Sequence, residues 1–155
     1  MTCRTAAMFI VIVLMGVADG RAAESPKTLL VLPSGTRLRA EVMNTAESRA
    51  RGLMFRDSMK PDAALLFVFP KPGPYGFWMK SCRFPIDIVW LDEKRHVVDI
   101  VPGAPPCPGE YCPIYTPSRA SLYVVEFLAG TAAREGVVLG ARIRFTLEPS
   151  DAGKP

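Results

Sequence analysis

The chain has 155 residues and a formal net charge of +4 at pH 7, with 49% hydrophobic and 22% charged residues. That length allows one domain with a real core and is too short for two. The charge is modest and dispersed, without the Lys/Arg run of a nucleic-acid footprint, and a single histidine, His96, argues against both histidine-based catalysis and zinc.

The first residues read as a targeting segment. Arg4 supplies a positive start and Ala6 to Ala18 form an apolar run, with small residues placed for cleavage near Gly20–Ala23. We expect residues 1–22 to be a signal peptide, with no cysteine after the run to carry a lipid anchor. The run is short for a bilayer, so stable insertion after cleavage is not expected. An uncleaved anchor is the alternative. Loss of residues 1–20 would remove Arg4 and Asp19 together and leave the charge at +4. The expected product is periplasmic or secreted, with one β-rich domain over 27–148 and a flexible tail over 149–155.

Lys27 to Leu32 and Thr36 to Met43 flank Pro33-Ser34-Gly35 and predict a hairpin. Leu29 and Val31 are expected to face the core from its first strand, and Leu38, Ala40 and Val42 from its second. Asn44 with Glu47 resembles a capping box and Gly52 a helix stop, which predicts a helix of about two turns carrying Arg49 and Arg51. Leu53, Met54 and Phe55 would then pack inward. Leu65 to Phe69 predicts a short strand, and Lys71 to Gly76 a turn.

The richest stretch runs from Phe77 to Val101. After Phe77-Trp78-Met79-Lys80 and a turn at Pro85, Ile86 to Leu91 and His96 to Val101 form two runs rich in β-branched residues around the charged turn Asp92–Arg95. Asp87 falls among residues that look buried on both sides, as in a central strand. A buried carboxylate needs a partner, and Lys80 lies just across the preceding turn.

Pro102 to Pro117 holds six prolines and predicts a loop stapled by Cys107 and Cys112. In an oxidising compartment that pair reads as a local disulfide. A metal site is the rival, but one Cys-x4-Cys falls short of the usual four-ligand set. Cys3 belongs to the signal, which leaves Cys82 as a small buried side chain or a reactive thiol. Beyond the loop, Ser121 to Phe127 alternates as a strand, Ala129 to Glu135 predicts a short helix, and Arg142 to Leu147 a last strand. The total is seven or eight short strands and two short helices. The expected fold is therefore mainly β, a single-domain antiparallel β-sandwich or small barrel.

Arg49-Ala50-Arg51-Gly52-Leu53-Met54-Phe55-Arg56, Leu66-Phe67-Val68-Phe69, Phe77-Trp78-Met79-Lys80 and Pro85-Ile86-Asp87 form one ordered signature. Tyr123-Val124-Val125-Glu126, Ala129-Gly130 and the Gly136…Gly140 spacing complete it. From about Leu29 to Phe145 the chain resembles the domain-of-unknown-function 192 family of small bacterial and archaeal proteins. The resemblance implies a β-rich, sandwich-like domain and supplies no function. The two-cysteine loop looks like a variant found in part of that family, and Ser81-Cys82 departs from the polar residue often found after the lysine.

The candidate binding patch gathers Arg51, Met54, Arg56, Trp78, Met79, Lys80, Asp87, Tyr123 and Glu126. Aromatic and thioether walls with a few convergent charges are the composition of a ligand pocket. The competing account is structural: Lys80 paired with Asp87 or Glu126, and a Met-rich core. The functional readings are a non-catalytic module binding a small molecule, glycan or peptide; a hydrolase using Asp87 and Glu126 as its carboxylate pair; and copper handling through Met43, Met54, Met59, Met79 and Cys82. No nucleophile, triad or metal motif supports an enzyme, and no cofactor is expected.

Overall fold

Proline at 33 and glycine at 35, the latter at φ +94°, turn the chain back between two apolar runs, and Leu32 and Thr36 close the turn with a backbone bond. The computed structural model describes residues 25–153, so the predicted export segment and Cys3 lie outside the described residues. The first hairpin consists of β1 (Lys27–Val31) and β2 (Arg37–Met43). Leu38, Ala40 and Val42 are buried as expected, but β1 has the opposite parity: Leu30 and Leu32 are buried and Leu29 is exposed. Leu29-Leu30-Val31-Leu32 is apolar at every position, so its pattern does not distinguish one face from the other.

Helix α1 (Ala46–Arg51) follows, capped by Thr45 rather than Asn44. Thr45 Oγ1 accepts from the Ser48 amide, and Ser48 Oγ accepts from the Thr45 amide. The Asn44 amide group instead reaches the carbonyl of Ser150, beside the 3₁₀ turn Pro149–Asp151 in which Asp151 is buried. The helix lies on the crossover that a parallel strand pair requires. It joins β2 to β3 (Ala63–Gly73), which runs further than the expected Leu65–Phe69.

The remaining strands are β4 (Phe77–Trp78), β5 (Ile86–Leu91), β6 (Val97–Ala104), β7 (Ile114–Tyr115) and β8 (Ser121–Leu128), and α2 (Thr131–Arg134) closes the set. Six strands form one sheet in the order β1-β2-β3-β8-β5-β6, antiparallel except at β2–β3, and β4 pairs with β7 in a small second sheet. The mainly β, antiparallel expectation holds, with eight strands in two sheets; the sheet is not closed into a barrel. Two further expectations are corrected. The Pro-rich loop contains strand β7, because Trp78 and Ile114 find each other across it. The predicted last strand at 142–147 is reduced to isolated bridges from Arg142 to His96 and from Arg144 to Val31. Arg142 and Arg144 are only two residues apart, so the two edges of the sheet come close together here, and each is met by an isolated bridge rather than a ladder.

Both faces of the large sheet are covered. On one, Leu30, Leu66, Val89, Val125 and Phe127 pack under α2 and the segment carrying Val137, Ile143 and Phe145. On the other, Leu65, Phe67, Ile88, Trp90 and Val124 pack under Leu53, Met79 and Cys82. All six residues of β5 are buried, as its unbroken apolar pattern requires.

The disulfide Cys107–Cys112 is formed. It ties down a loop whose Cys107 backbone already bonds to Met79 and Ser81. Replacing both cysteines by serine should lower unfolding stability by about 2 kcal/mol, the chain-entropy value for so short a loop. Chemical denaturation of the double variant measures it, and an unchanged midpoint would remove any stabilising role.

Candidate functional site

Glu126 is the residue from which the site is built. It lies in the middle of β8, opposite Leu65 on one neighbour and Ile88 on the other, and so points to the second face of the sheet. Its side chain is 4% exposed, and its Oε2 is the buried side-chain oxygen left without a hydrogen-bond partner among the described residues. Burial pushes its carboxyl up to about 8, against a smaller downward pull from Arg56. At neutral pH it is therefore a neutral acid with an O–H to donate. An unsatisfied buried polar group costs roughly 1–3 kcal/mol, so this placement opposes folding.

Above Glu126 is a cavity of about 30 Å³, more than a single water needs. Its walls come from two directions. The end of α1 and the turn after it supply Arg49, Arg51, Gly52, Leu53 and Met54, while Phe67, Phe77, Trp78 and Cys82 close the other side. Gly52 is at φ +45°, a left-handed conformation suited to glycine, and a Cβ there would meet the Phe67 ring at 3.4 Å. Arg49 is held to the wall by donating to the Asn44 and Val68 carbonyls at 2.9 and 3.0 Å. Phe77 is wedged edge-on between Phe67 and Trp90, with ring centroids at 4.8 and 5.9 Å, which fixes the strand that carries Trp78. Trp78 itself is 47% exposed at the rim.

The nine patch residues divide. Arg51, Met54, Trp78 and Glu126 line the cavity. Lys80 stands over the Trp78 ring with Nζ 5.3 Å from its centroid, and it pairs with neither Asp87 nor Glu126. Arg56 holds Glu41 through two bonds of 2.6 and 2.8 Å, which keep the Glu41 carboxyl below its usual value. It reaches Glu126 only through its charge. Met79 is fully buried beneath the site.

Asp87 and Tyr123 are on the opposite face. Tyr123 packs edge-on against Phe145. Asp87 is buried and satisfied by backbone: Oδ1 accepts from Gly103 at 2.8 Å and Gly130 at 3.1 Å, and Oδ2 from Ala132 at 2.8 Å. Its register partner is Phe127, whereas Glu126 pairs with Ile88, so the expected carboxylate pair is not formed. The Lys80–Asp87 pairing is corrected likewise, because three amides take every bond Asp87 makes.

Sequence reasoning missed Arg49, Phe67 and Cys82 as wall residues. The pairing of β3 with β8 sets Phe67 opposite Val124 and so diagonal to Glu126 on the same face, information that no local pattern contains. Cys82 is buried, and its thiol is pushed up to about 11 by burial and then by Glu126, so it is not an activated nucleophile. Met54 shares the cavity wall with Cys82, while Met43 and Met79 belong to the core and Met59 packs at its margin. Among the described residues no group of three or more His, Cys, Asp or Glu is placed to hold a metal ion, and no helix is long and apolar enough to cross a membrane.

Two curated relatives carry only the label UPF0127 protein. The one from Thermococcus kodakarensis is 30% identical over 113 residues, covering 70% of this chain and 65% of its own. The one from Thermococcus gammatolerans is 34% identical over 91 residues, covering 56% and 52%. The chain thus spans less than two thirds of the length of either relative. A solved structure of a protein of unknown function from Novosphingobium aromaticivorans matches with a TM-score of 0.68 at 28% identity, covering 76% of this chain and 83% of that one. Another, from Sinorhizobium meliloti and assigned provisionally to transcription regulation, matches with a TM-score of 0.68 at 31% identity, covering 77% and 92%. The uncharacterised family DUF192, described as Uncharacterized ACR, matches residues 30–145, and the chain belongs to it.

Proposed function

We propose that the chain is an exported, non-catalytic binding module that takes a small molecule, or one end of a glycan or peptide, into the cavity above Glu126. The observation that carries this reading is the buried Glu126, with one carboxyl oxygen left without a partner, in the lining of a cavity whose rim holds an exposed Trp78. An aromatic rim over a few polar groups is the common composition of ligand sites. The wall holds a single acidic residue, and glycoside hydrolysis uses two. Export is supported by the apolar run at Ala6–Ala18 and by the Cys107–Cys112 disulfide, which suits an oxidising compartment.

Thermal melting against cell-wall fragments, oligosaccharides, short peptides, Cu(I) and Zn(II) tests the proposal. A ligand at 100 times its Kd adds about 2.7 kcal/mol, a shift of several degrees for a domain of this size. One class should raise Tm in the wild type and fail to do so in Trp78→Ala, which removes a half-exposed side chain and leaves the fold intact. Turnover of that ligand would refute the non-catalytic reading, and a flat panel would refute binding.

A further inference from the structure

We propose that the cavity receives a carboxylate: the head group of an organic acid enters past Trp78 and Arg51 and accepts a hydrogen bond from the Glu126 carboxyl at the floor. This rests on the binding reading above and names the chemistry of its ligand.

The charges around the cavity carry the argument. Two arginines, Arg49 and Arg51, are among the residues that line it, and Glu126 is the one acidic residue there. The neighbouring elements add to the positive side. Arg56, on the segment after α1, acts on Glu126 through its charge, and the Lys80 amine stands over the Trp78 ring. The nearest countercharges are engaged: both Glu41 oxygens accept from Arg56, and Glu47 accepts from Arg51 at 2.9 Å on the exposed side of α1. With Glu41 and Glu47 counted against Arg49, Arg51, Arg56 and Lys80, these groups still sum to two net positive charges, which oppose a cationic head group and favour an anionic one.

Protonation points the same way. Burial holds Glu126 up to about 8 and Cys82 up to about 11, so both titratable groups facing the cavity besides the arginines are uncharged at neutral pH. Neither repels an anion. A neutral carboxyl offers an O–H, and O–H···O⁻ bonds are among the short, strong ones. Volume sets the scale of what enters. About 30 Å³ admits a flat head group of a few atoms but not a whole ligand, so its body must rest outside on the half-exposed Trp78.

Two probes stand for the two sources of such a group. N-acetylphenylalanine presents a peptide-like carboxyl terminus and glucuronate an acidic sugar. N-acetylphenylalaninamide and glucose are their neutral counterparts, and phenethylamine is a cationic one. Each is titrated into the full chain while the ¹³C-labelled Met54 methyl signal is followed, a probe that works at alkaline pH. At pH 7 at least one carboxylate should bind about tenfold or more tightly than its neutral counterpart. Its affinity should be level between pH 6 and 7.5, then fall about tenfold per unit above pH 8, as Glu126 loses the proton the complex needs. Glu126→Gln, whose amide still donates, should retain binding and lose the pH dependence, while Glu126→Leu should lose both.

Tighter binding of the neutral or cationic probe, or an affinity that rises with pH, would overturn the carboxylate while leaving a binding module in place. No response to any of these probes beside a positive melting panel would overturn the carboxylate alone, and silence in both would overturn both readings.

Discussion

Asp87→Ala should cost about 3–5 kcal/mol of unfolding free energy, a large share of the roughly 5–15 kcal/mol that holds an ordinary domain together. The wild-type carboxylate gathers three amides that come from separate parts of the chain: Gly103 after the bend in β6, and Gly130 and Ala132 at the start of α2. Removing it leaves those N–H groups without their acceptor at a site sealed from water, each at a cost of roughly 1–3 kcal/mol. Asp87→Asn should cost about half as much, because one oxygen remains and the new amide cannot accept. Lys80→Ala should change stability by less than about 1 kcal/mol, since its contact is a rim stack on Trp78. Urea unfolding of the three variants gives the comparison. Comparably large losses in Lys80→Ala and Asp87→Ala would restore the ion pair that the residue pattern suggested.

That contrast marks what the sequence makes legible. A carboxylate inside an unbroken apolar strand announces that it is buried, and β5 is buried throughout. It does not announce its partners, because a backbone amide looks the same in every residue. Lys80 was the nearest visible countercharge, yet the true donors lie 16, 43 and 45 positions away. Parity behaves alike. Where polar and apolar residues alternate, as in Arg37–Val42, the buried face is readable; where every residue is apolar, as in Leu29–Leu32, it is not.

The candidate site was half legible for a related reason. Arg51, Met54, Trp78 and Glu126 belong to conspicuous motifs and do meet around one cavity. Met79, Asp87 and Tyr123 belong to the same motifs but alternate to the core or to the opposite face. A strand motif of consecutive residues always divides between two faces, so its members cannot all line one site. Phe67 and Arg49 were out of reach because their place on the wall depends on β3 lying beside β8 and on where α1 ends.

The second large effect concerns Glu126 and has a definite sign. The folded-state carboxyl sits at about 8, while the ordinary value is 4.5. Between those limits the unfolded chain is ionised and the folded one holds its proton, so the folded state binds more protons and stability falls as pH rises. Each pH unit in that window removes about 1.4 kcal/mol, on the order of 5 kcal/mol in all, with no further loss from this group above pH 8. The Glu41 carboxyl, held low by Arg56, acts on the other side: its contribution is lost only as pH drops below the ordinary carboxylate range.

Urea unfolding of the wild type and Glu126→Gln from pH 5 to 8 isolates the effect. The difference between them should widen steadily with pH, and a constant difference would show that Glu126 ionises normally in the folded protein. Glu126→Leu should go further and exceed the wild type in stability at pH 8 by several kcal/mol, since it removes both the ionisation penalty and the unsatisfied oxygen. A position where leucine folds better than the native acid is one that packing alone would fill with leucine, as it does at Leu65 directly across the ladder. If Glu126→Leu also abolishes carboxylate binding, the acid is held at the cavity floor for the ligand and at the expense of the fold.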